Sequence, residues 1–371
     1  MRILILNYME TTAAGGINKV VQEIAKNLTR KDHEIIVLQA NPFNLPSEEI
    51  YQGFKIIRVK STIDKYLYGF SPAIYFYLKK HFNILKPDVV HIHGYHTLFS
   101  PEVIYIIKKI DPLIPIVFTP HYDPLNHSTI AGKNFSHLYD RIVGKKFLKL
   151  PDHIISVSDF EANNLRKIFS LPNGKITVIP HGVDYINTQK KVNTGYITLL
   201  YVGYLLEYKG VQYIIKALHE LLYTFNIRNV VLRIIGEGQY KKELISISRK
   251  LRVYEFIEWI PFLHHDEVLR EMKNADIFLL LSRTEGYGIV VAEALAHGTP
   301  CIVTMGTALE EFTKIPGCFG VNYPPDPKEV ANLIIKIYES DIQVGPFSKR
   351  IRTWDEVAKD YEKVYNEISK R

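Results

Sequence analysis

Ser282-Arg283-Thr284-Glu285-Gly286-Tyr287-Gly288-Ile289-Val290-Val291-Ala292-Glu293-Ala294-Leu295-Ala296-His297-Gly298-Thr299-Pro300 is the stretch around which the chain is organised. It follows Ile277-Phe278-Leu279-Leu280-Leu281, a short apolar run typical of a strand buried on both faces. Gly286 and Gly288 allow a sharp turn and a close backbone approach to a ligand. From Ile289 the residues favour helix, with Gly298 as its C-terminal cap and Pro300 beyond it. The order is strand, glycine loop, helix, next strand. Such a loop aims backbone N–H groups and the positive end of a helix at whatever lies above the sheet, which makes an anion site. Two carboxylates frame it, Glu285 in the loop and Glu293 about one turn into the helix. An arbitrary E-x7-E pair is a loop charge and a helix-surface charge. Set between a buried strand and a helix ending in Gly-x-Pro, the same pair suits hydrogen bonds to the hydroxyls of two sugar rings.

The 371 residues suffice for two domains of ordinary size. A composition of 47% hydrophobic and 23% charged residues excludes a disordered chain. No apolar run reaches the length of a membrane span, and Met1 to Leu6 is too short for a secretory leader, so a cytoplasmic protein is expected. Cys301 and Cys318 offer no disulfide framework and fit a reducing compartment. They show no metal-ligand spacing with any histidine pair, and no D-x-D is present, so neither a metal nor a cofactor is expected. The charge is lopsided. Residues 1–180 hold 22 Lys+Arg and 15 Asp+Glu, which accounts for the whole net +7. A basic first half implies either an anionic partner surface or a merely solvated face.

In the first half, Arg2 to Asn7 reads as a buried strand. Gly15 and Gly16 then open an amphipathic helix with Val20, Val21, Ile24, Ala25 and Leu28 inward. A lone Gly-Gly at this place is as much a tight turn as a phosphate loop. Further strands, some running into loops, are expected within 35–38, 55–59, 88–94, 116–123, 153–158 and 176–180. Alternation this regular implies a parallel sheet with helices on both faces. His91 and His93 share one strand face, but no third ligand stands near, so they are read as core or cleft-wall histidines. His121 sits at the carboxyl end of a strand, where open α/β sheets bind ligands. Two helical stretches mix aromatics with cations. Lys65 to Lys86 holds seven aromatic residues beside Lys65, Lys79, Lys80 and Lys86. Asn134 to Leu150 puts Arg141, Lys145 and Lys149 on one stripe. Packing on the sheet explains their apolar positions; the cations favour an anionic membrane surface. No nucleic-acid motif is present, and no nucleic-acid partner is expected.

Pro180-His181-Gly182-Val183-Asp184 reads as a bend, and Asn187 to Gly195 as a polar linker. A second strand series starts at Ile197 and runs into Gly203-Tyr204-Leu205-Leu206-Glu207-Tyr208-Lys209-Gly210. Val230 to Ile235 runs into Gly236-Glu237-Gly238, too incomplete for a dinucleotide fingerprint. Trp354, Val357, Tyr361, Val364 and Ile368 fall at helical spacing near the end.

Glu285 through Glu293 resembles the E-x7-E signature of glycosyltransferase family 4, retaining enzymes of the GT-B fold that use nucleotide-activated sugars. Asp88 to Gly94 resembles the family's D-V-V-H-x-H segment, and Thr119 to Asp123 its T-x-H-D. Pro180 to Asp184 resembles its interdomain P-N/H-G-V-D, and Gly203 to Gly210 its G-R-L-x-x-x-K-G. The resemblance implies an α/β protein of two doubly wound Rossmann-like domains facing across a cleft. Residues 1–184 would bind the acceptor and 185–345 the nucleotide sugar, while 346–371 would form a helix crossing back to the first domain. It implies hexosyl transfer from a UDP- or GDP-sugar to a glycan or lipid-linked acceptor, on the inner face of the membrane. Lys209 would meet the diphosphate, Glu285 the transferred sugar, Glu293 the ribose, and His121 the sugar near its anomeric centre. Gly15, Gly16, Gly203, Tyr204, Gly236, Gly238, Gly286, Tyr287, Gly288 and Ile289 would complete the donor contacts. The main departure is Tyr204, which stands where the family has arginine and brings neither charge nor a bidentate fork. Arg283 is the nearest alternative cation. A non-catalytic sugar-nucleotide-binding protein and a GT-B sugar-nucleotide epimerase fit the same residues.

Overall fold

The apolar runs assemble into two open sheets, one in each of two compact units, residues 1–181 with 354–371 and residues 182–353. The computed structural model describes residues 1–8, 10–12, 15–41, 44–60, 69–124, 137–186, 195–340, 342, 344 and 351–370. The expectations for residues 65–68, 134–136, the linker at 187–194, and residues 345–350 and 371 lie outside the described residues.

The first sheet contains β1 (Arg2–Leu6), β2 (Glu34–Asn41), β3 (Glu48–Tyr51), β4 (Phe54–Lys60), β5 (Val89–His93), β6 (Ile116–Thr119), β7 (His153–Ser156) and β8 (Ile176–Val178). Its order is β3-β4-β2-β1-β5-β6-β7-β8, parallel throughout except for β3 against β4. Successive side chains of a strand face opposite ways. Leu4 and Leu6 join the cluster formed by α2 (Pro72–Leu85), α3 (Phe99–Ile110) and α4 (Asp159–Phe169). Ile3 and Ile5 point the other way and are equally buried. That is why β1 reads as an unbroken apolar run. β3 closes one edge with Glu48 and Glu49, charges that discourage a further strand. The helix after Gly15, α1 (Gly16–Thr29), buries the five residues its periodicity marks.

The second sheet holds β10 (Ile197–Val202), β11 (Val230–Ile235), β12 (Ile257–Ile260), β13 (Ile277–Leu280), β14 (Cys301–Thr304) and β15 (Cys318–Val321), all parallel, in the order β12-β11-β10-β13-β14-β15. Between its strands run α5 (Val211–His219), α6 (Lys241–Lys250), α7 (His265–Asn274) and α8 (Ile289–Ala296), and α9 (Pro327–Glu339) follows β15. A short pair, β9 (Gly182–Val183) with β16 (Arg352–Thr353), bounds this unit. Cys301 and Cys318 are buried and unbonded on adjacent strands, and burial pushes the Cys318 thiol up to about 12.

The last helix, α10 (Trp354–Ile368), belongs to the first unit and packs on α1. Val357, Tyr361, Val364 and Ile368 form its buried stripe. Its polar side is held by Lys31 to Asp355 at 2.9 Å and His33 to Glu362 at 3.0 Å.

The stretch expected as a straight basic helix is broken. Arg141, Lys145 and Lys149 are exposed, but Asp140–Gly144 is a π-helical turn, which shifts the phase of a four-residue stripe. Two contacts fit the wider turn. Asp140 is drawn inward to accept from Tyr95 Oη at 2.6 Å and Tyr122 Oη at 2.9 Å. Gly144 lies so close to Tyr95 that a Cβ would stand 2.1 Å from its Oη.

His91 and His93 are core residues, as read. His91 bonds Thr119 Oγ1 at 2.8 Å and Tyr365 Oη at 2.7 Å, which ties α10 to the strand ends. Ring contacts continue from His91 to His93, His121, His181 and Trp354. Burial pushes His91 and His121 down to about 3 and His96 to about 4, and holds His93 and His181 well below 6.5. A folded-state pKa below the unfolded one means that the unfolded chain binds more protons once the pH drops beneath 6.5. Stability therefore falls with pH from there toward about 3, by up to about 1.4 kcal/mol per pH unit for each histidine. Urea unfolding of this unit, followed by Trp354 fluorescence, should shift to lower midpoints between about pH 7 and pH 5; an unmoved midpoint would mean that the folded and unfolded rings take up protons alike.

Candidate active site

In the second unit β10 lies between β11 and β13, so chain order reverses there, and open α/β sheets place ligands at such a point. The loop leaving β10 runs from Gly203 to Gly210, and that leaving β13 from Leu281 to Gly288. They are strapped together. Arg283 N–H donates to the Tyr208 carbonyl at 2.7 Å. Gly210, at φ 77°, presses against β13 so closely that a Cβ would stand 1.9 Å from the Leu281 carbonyl oxygen. Only glycine satisfies both demands. This contact brings Lys209 Nζ to 2.7 Å from Glu285 Oε1, with side chains only 18% and 13% exposed. Ser282 Oγ donates to the same oxygen at 2.9 Å, and the Tyr208 ring lies 5.3 Å from the ammonium.

Gly288 caps the N-terminus of α8 in the left-handed region, and no side chain caps that helix. Val291 and Ala292 N–H turn back to the Gly288 carbonyl at 3.0 and 3.3 Å, and the N–H groups ahead of them at the helix start point where an anion is favoured. One turn on, Glu293 is only 3% exposed, and its Oε1 lies 3.5 Å from His265 Nε2. His265 also meets Asp184 Oδ2 at 3.0 Å. His297 ties α8 to the chain after β9, accepting from Ile186 N–H at 3.1 Å.

Lys209 and Glu285 are thus brought together, while Glu293 is separately placed beside His265. Gly286 has open space where a Cβ would go, and Ile289 is the half-buried first residue of α8. Tyr287 is buried, with its ring 5.3 Å from Phe312. The glycines after β10 and β11 pack on backbone. A Cβ on Gly236 would stand 1.9 Å from the Gly203 carbonyl oxygen, and one on Gly238 2.3 Å from that of Leu205. The G-x-G turn is thus consumed by the protein's own backbone, and no ligand is required to explain it. Tyr204 turns its carbonyl in to the Tyr201 hydroxyl at 2.9 Å and leaves its side chain 55% exposed.

In the first unit β1 is the strand of reversal, between β2 and β5. The loop after β1 is anchored by buried Glu10, which accepts from Arg58 Nε at 3.0 Å, Arg58 Nη2 at 3.1 Å and Thr12 N–H at 3.1 Å. Burial alone would raise the Glu10 pKa; these hydrogen bonds outweigh it and hold the carboxyl below 4.5. The anchored loop leads to Gly15, at φ 150°, and Gly16, which begins α1 without a side-chain cap and with open space beside it. Across the sheet, His121 follows β6 with φ 51°.

Several partnerships in these sites are not visible in any linear motif. Ser282, which orients Glu285, looks like any strand-end serine. Asp184 and His265 lie far from Glu293 in sequence, yet one ligand atom from each of the three falls within 4.8 Å of the others. These atoms could hold a cation, which linear spacing did not disclose, though the hydrogen bond between His265 and Asp184 already satisfies both without one. Glu161, wholly buried, accepts from Tyr122 N–H at 2.6 Å and Val157 N–H at 2.7 Å, and burial pushes its pKa up to about 7.

Residues 14–185 match the family described as Glycosyltransferase Family 4, and residues 184–354 match Glycosyl transferases group 1. Over 363 residues the chain is 28% identical to glycogen synthase of Mycobacterium tuberculosis, spanning 90% of this chain and 84% of that one. Over 376 residues it is 24% identical to alpha-monoglucosyldiacylglycerol synthase of Acholeplasma laidlawii, spanning 94% and 91%. Sucrose-phosphate synthase from Thermosynechococcus elongatus shares the fold, with a TM-score of 0.81 at 17% identity over 99% of this chain and 98% of that one. The two family matches run on from one unit to the next, and the chain belongs to the family 4-like glycosyltransferases of the GT-B fold.

Proposed function

We propose that this glycosyltransferase moves a hexosyl group, with retention, from a UDP- or GDP-sugar to a glycan or lipid-linked acceptor. The observation that carries this is the Lys209–Glu285 pair beside the uncapped start of α8. An ammonium has three N–H donors, so Lys209 can hold Glu285 and a phosphate oxygen at once. Glu285, oriented by Ser282, accepts from hydroxyls of the transferred sugar. Glu293 accepts from the ribose hydroxyls. In the step itself the bond from the anomeric carbon to the diphosphate oxygen breaks, and the bond to the acceptor oxygen forms on the same face. The acceptor's hydroxyl proton passes to the departing phosphate oxygen. Negative charge grows on that phosphate, so a fixed cation and a helix N-terminus lower the barrier most. No residue of the chain serves as a nucleophile. No metal or cofactor is invoked, and Lys209 carries the charge that an arginine at Tyr204 would share. The first unit takes the acceptor and supplies His121 to the sugar.

A membrane-surface acceptor is favoured by three observations. The basic excess lies in residues 1–180. Phe76 and Ile84 on α2 are exposed beside Lys79 and Lys80, and Leu138, Ile142 and Leu150 are exposed beside Arg141, Lys145 and Lys149. A relative is named for making a glucosylated diacylglycerol. No helix among the described residues is long and apolar enough to cross a membrane. A cytoplasmic protein docked peripherally on the inner leaflet fits these facts.

Lys209→Ala and Glu285→Gln should each lower turnover by about 10²-fold or more, the scale of losing one preorganised charged contact. Wild-type rates in either would overturn these assignments, and donor binding without any sugar release would mark a non-catalytic binder. Free sugar released from the donor with no acceptor requirement would instead mark an epimerase. UDP or GDP should raise the thermal midpoint, and ADP should not. At about a hundredfold excess over Kd the gain is about 2.7 kcal/mol, and the shift should shrink in Lys209→Ala. The intact protein should sediment with anionic liposomes at low salt and be released at high salt; failure to bind them would remove the membrane-surface acceptor.

A further inference from the structure

β5 and β6 end side by side, with His93 the last residue of β5 and His121 two residues beyond β6. His93 Nδ1 and His121 Nε2 lie 3.1 Å apart, and the rings stack with centroids 5.4 Å apart. Burial keeps both rings neutral. A hydrogen bond between two neutral imidazoles uses one proton, so one ring donates and the other accepts.

The remaining nitrogens decide which. His93 is 1% exposed, and its Nε2 meets no partner among the described residues. If His93 accepted at Nδ1, that Nε2 would carry a buried N–H with no acceptor. If it donates, Nε2 carries only a lone pair. Orphaned buried N–H groups are the rarer case, so donation from His93 Nδ1 is preferred. His121 then accepts at Nε2 and holds its own proton on Nδ1, which makes no hydrogen bond among the described residues.

Everything else around His121 is fixed. Its backbone takes φ 51°, a conformation that persists only when its surroundings over-determine it. The next residue supplies that restraint: Tyr122 N–H is held by Glu161 at 2.6 Å and Tyr122 Oη by Asp140 at 2.9 Å. Asp123 N–H donates to His96 Nε2 at 3.3 Å. His91, tied to Thr119 and Tyr365, packs its ring against that of His93, centroids 4.1 Å apart and tilted by 44°, and resists its rotation.

We propose that His93 is a positioning residue for the transfer reaction, its Nδ1–H setting both the ring orientation and the tautomer of His121, which then offers Nδ1–H to an oxygen of the sugar. The proposal rests on the reading of His121 as the sugar contact. The test is the nitrogen NMR spectrum of the whole protein with isotope-labelled histidine, recorded without substrate, the His121 signals being identified by their loss in His121→Gln. A protonated Nδ1 and a bare Nε2 on His121 are expected; the opposite tautomer, or a mixture, overturns the proposal. In His93→Phe the His121 tautomers should mix, and kcat should drop roughly tenfold with the donor KM little changed. His93→Asn, whose amide nitrogen falls near the place of Nδ1, should restore both. An unchanged tautomer and kcat in His93→Phe overturn the proposal; should that variant not fold, the wild-type spectrum and His93→Asn still decide. A wrong tautomer sinks the inference about His93 alone, whereas full activity in His121→Gln sinks the sugar contact and with it the role given to His93.

Discussion

The strap between the loops after β10 and β13 is the constraint on which the second unit of this protein depends. Parallel pairing of β10 with β13 sets the two strand ends side by side. Gly210 then lets one loop lie against the other, and the Arg283 to Tyr208 hydrogen bond closes the gap. Lys209 and Glu285 meet because of that backbone arrangement, 76 residues apart in the chain. The ion pair alone could not assemble it, since holding two long side chains in one geometry costs entropy comparable to what a partly exposed pair returns. The backbone contact comes first, and the charge pair occupies the place it defines.

The two units solve the same problem with different materials. Both open a loop pair where strand order reverses. In the second unit the loops are shaped by glycines packed on carbonyls, which leaves a cation and backbone dipoles to face an anion. In the first, a glycine-poor turn after β6 is held by side chains: Glu161 on Tyr122, Asp140 on two tyrosines, His96 on Asp123. The rings stacked there are neutral histidines. Fixed positive charge beside a helix start is thus a feature of the second unit, and neutral hydrogen-bonding rings are a feature of the first.

Particular residues show what a linear reading can and cannot reach. The helix stripe of α1 and the unbroken apolar strands were legible because burial on one face or two imposes a period of its own. Glu285 and Glu293 stood out because strand, glycine and helix signals surround them, and Lys209 through the resemblance of Gly203 to Gly210 to the family's motif. The packing of the Tyr287 ring on Phe312 is not legible, since an aromatic in a glycine loop looks the same whatever it meets. Nor is the contact of Gly236 and Gly238 with the loop after β10, because the group a glycine admits lies elsewhere in the chain. The π turn at Asp140–Gly144 left no trace in the spacing, because its causes, Tyr95 and Tyr122, lie elsewhere in the chain.

By itself the sequence determined the fold class, two largely parallel sheets with covering helices, and the positions where glycines let loops turn sharply. Those follow from local period and from glycine, which act over a few residues. Tertiary structure alone decided the partnerships: Lys209 with Glu285, Glu293 with His265 and Asp184, and His93 with His121. Each joins groups that only strand order or helix docking brings within hydrogen-bond reach, and a distance of about 3 Å between remote residues is not written in any local pattern.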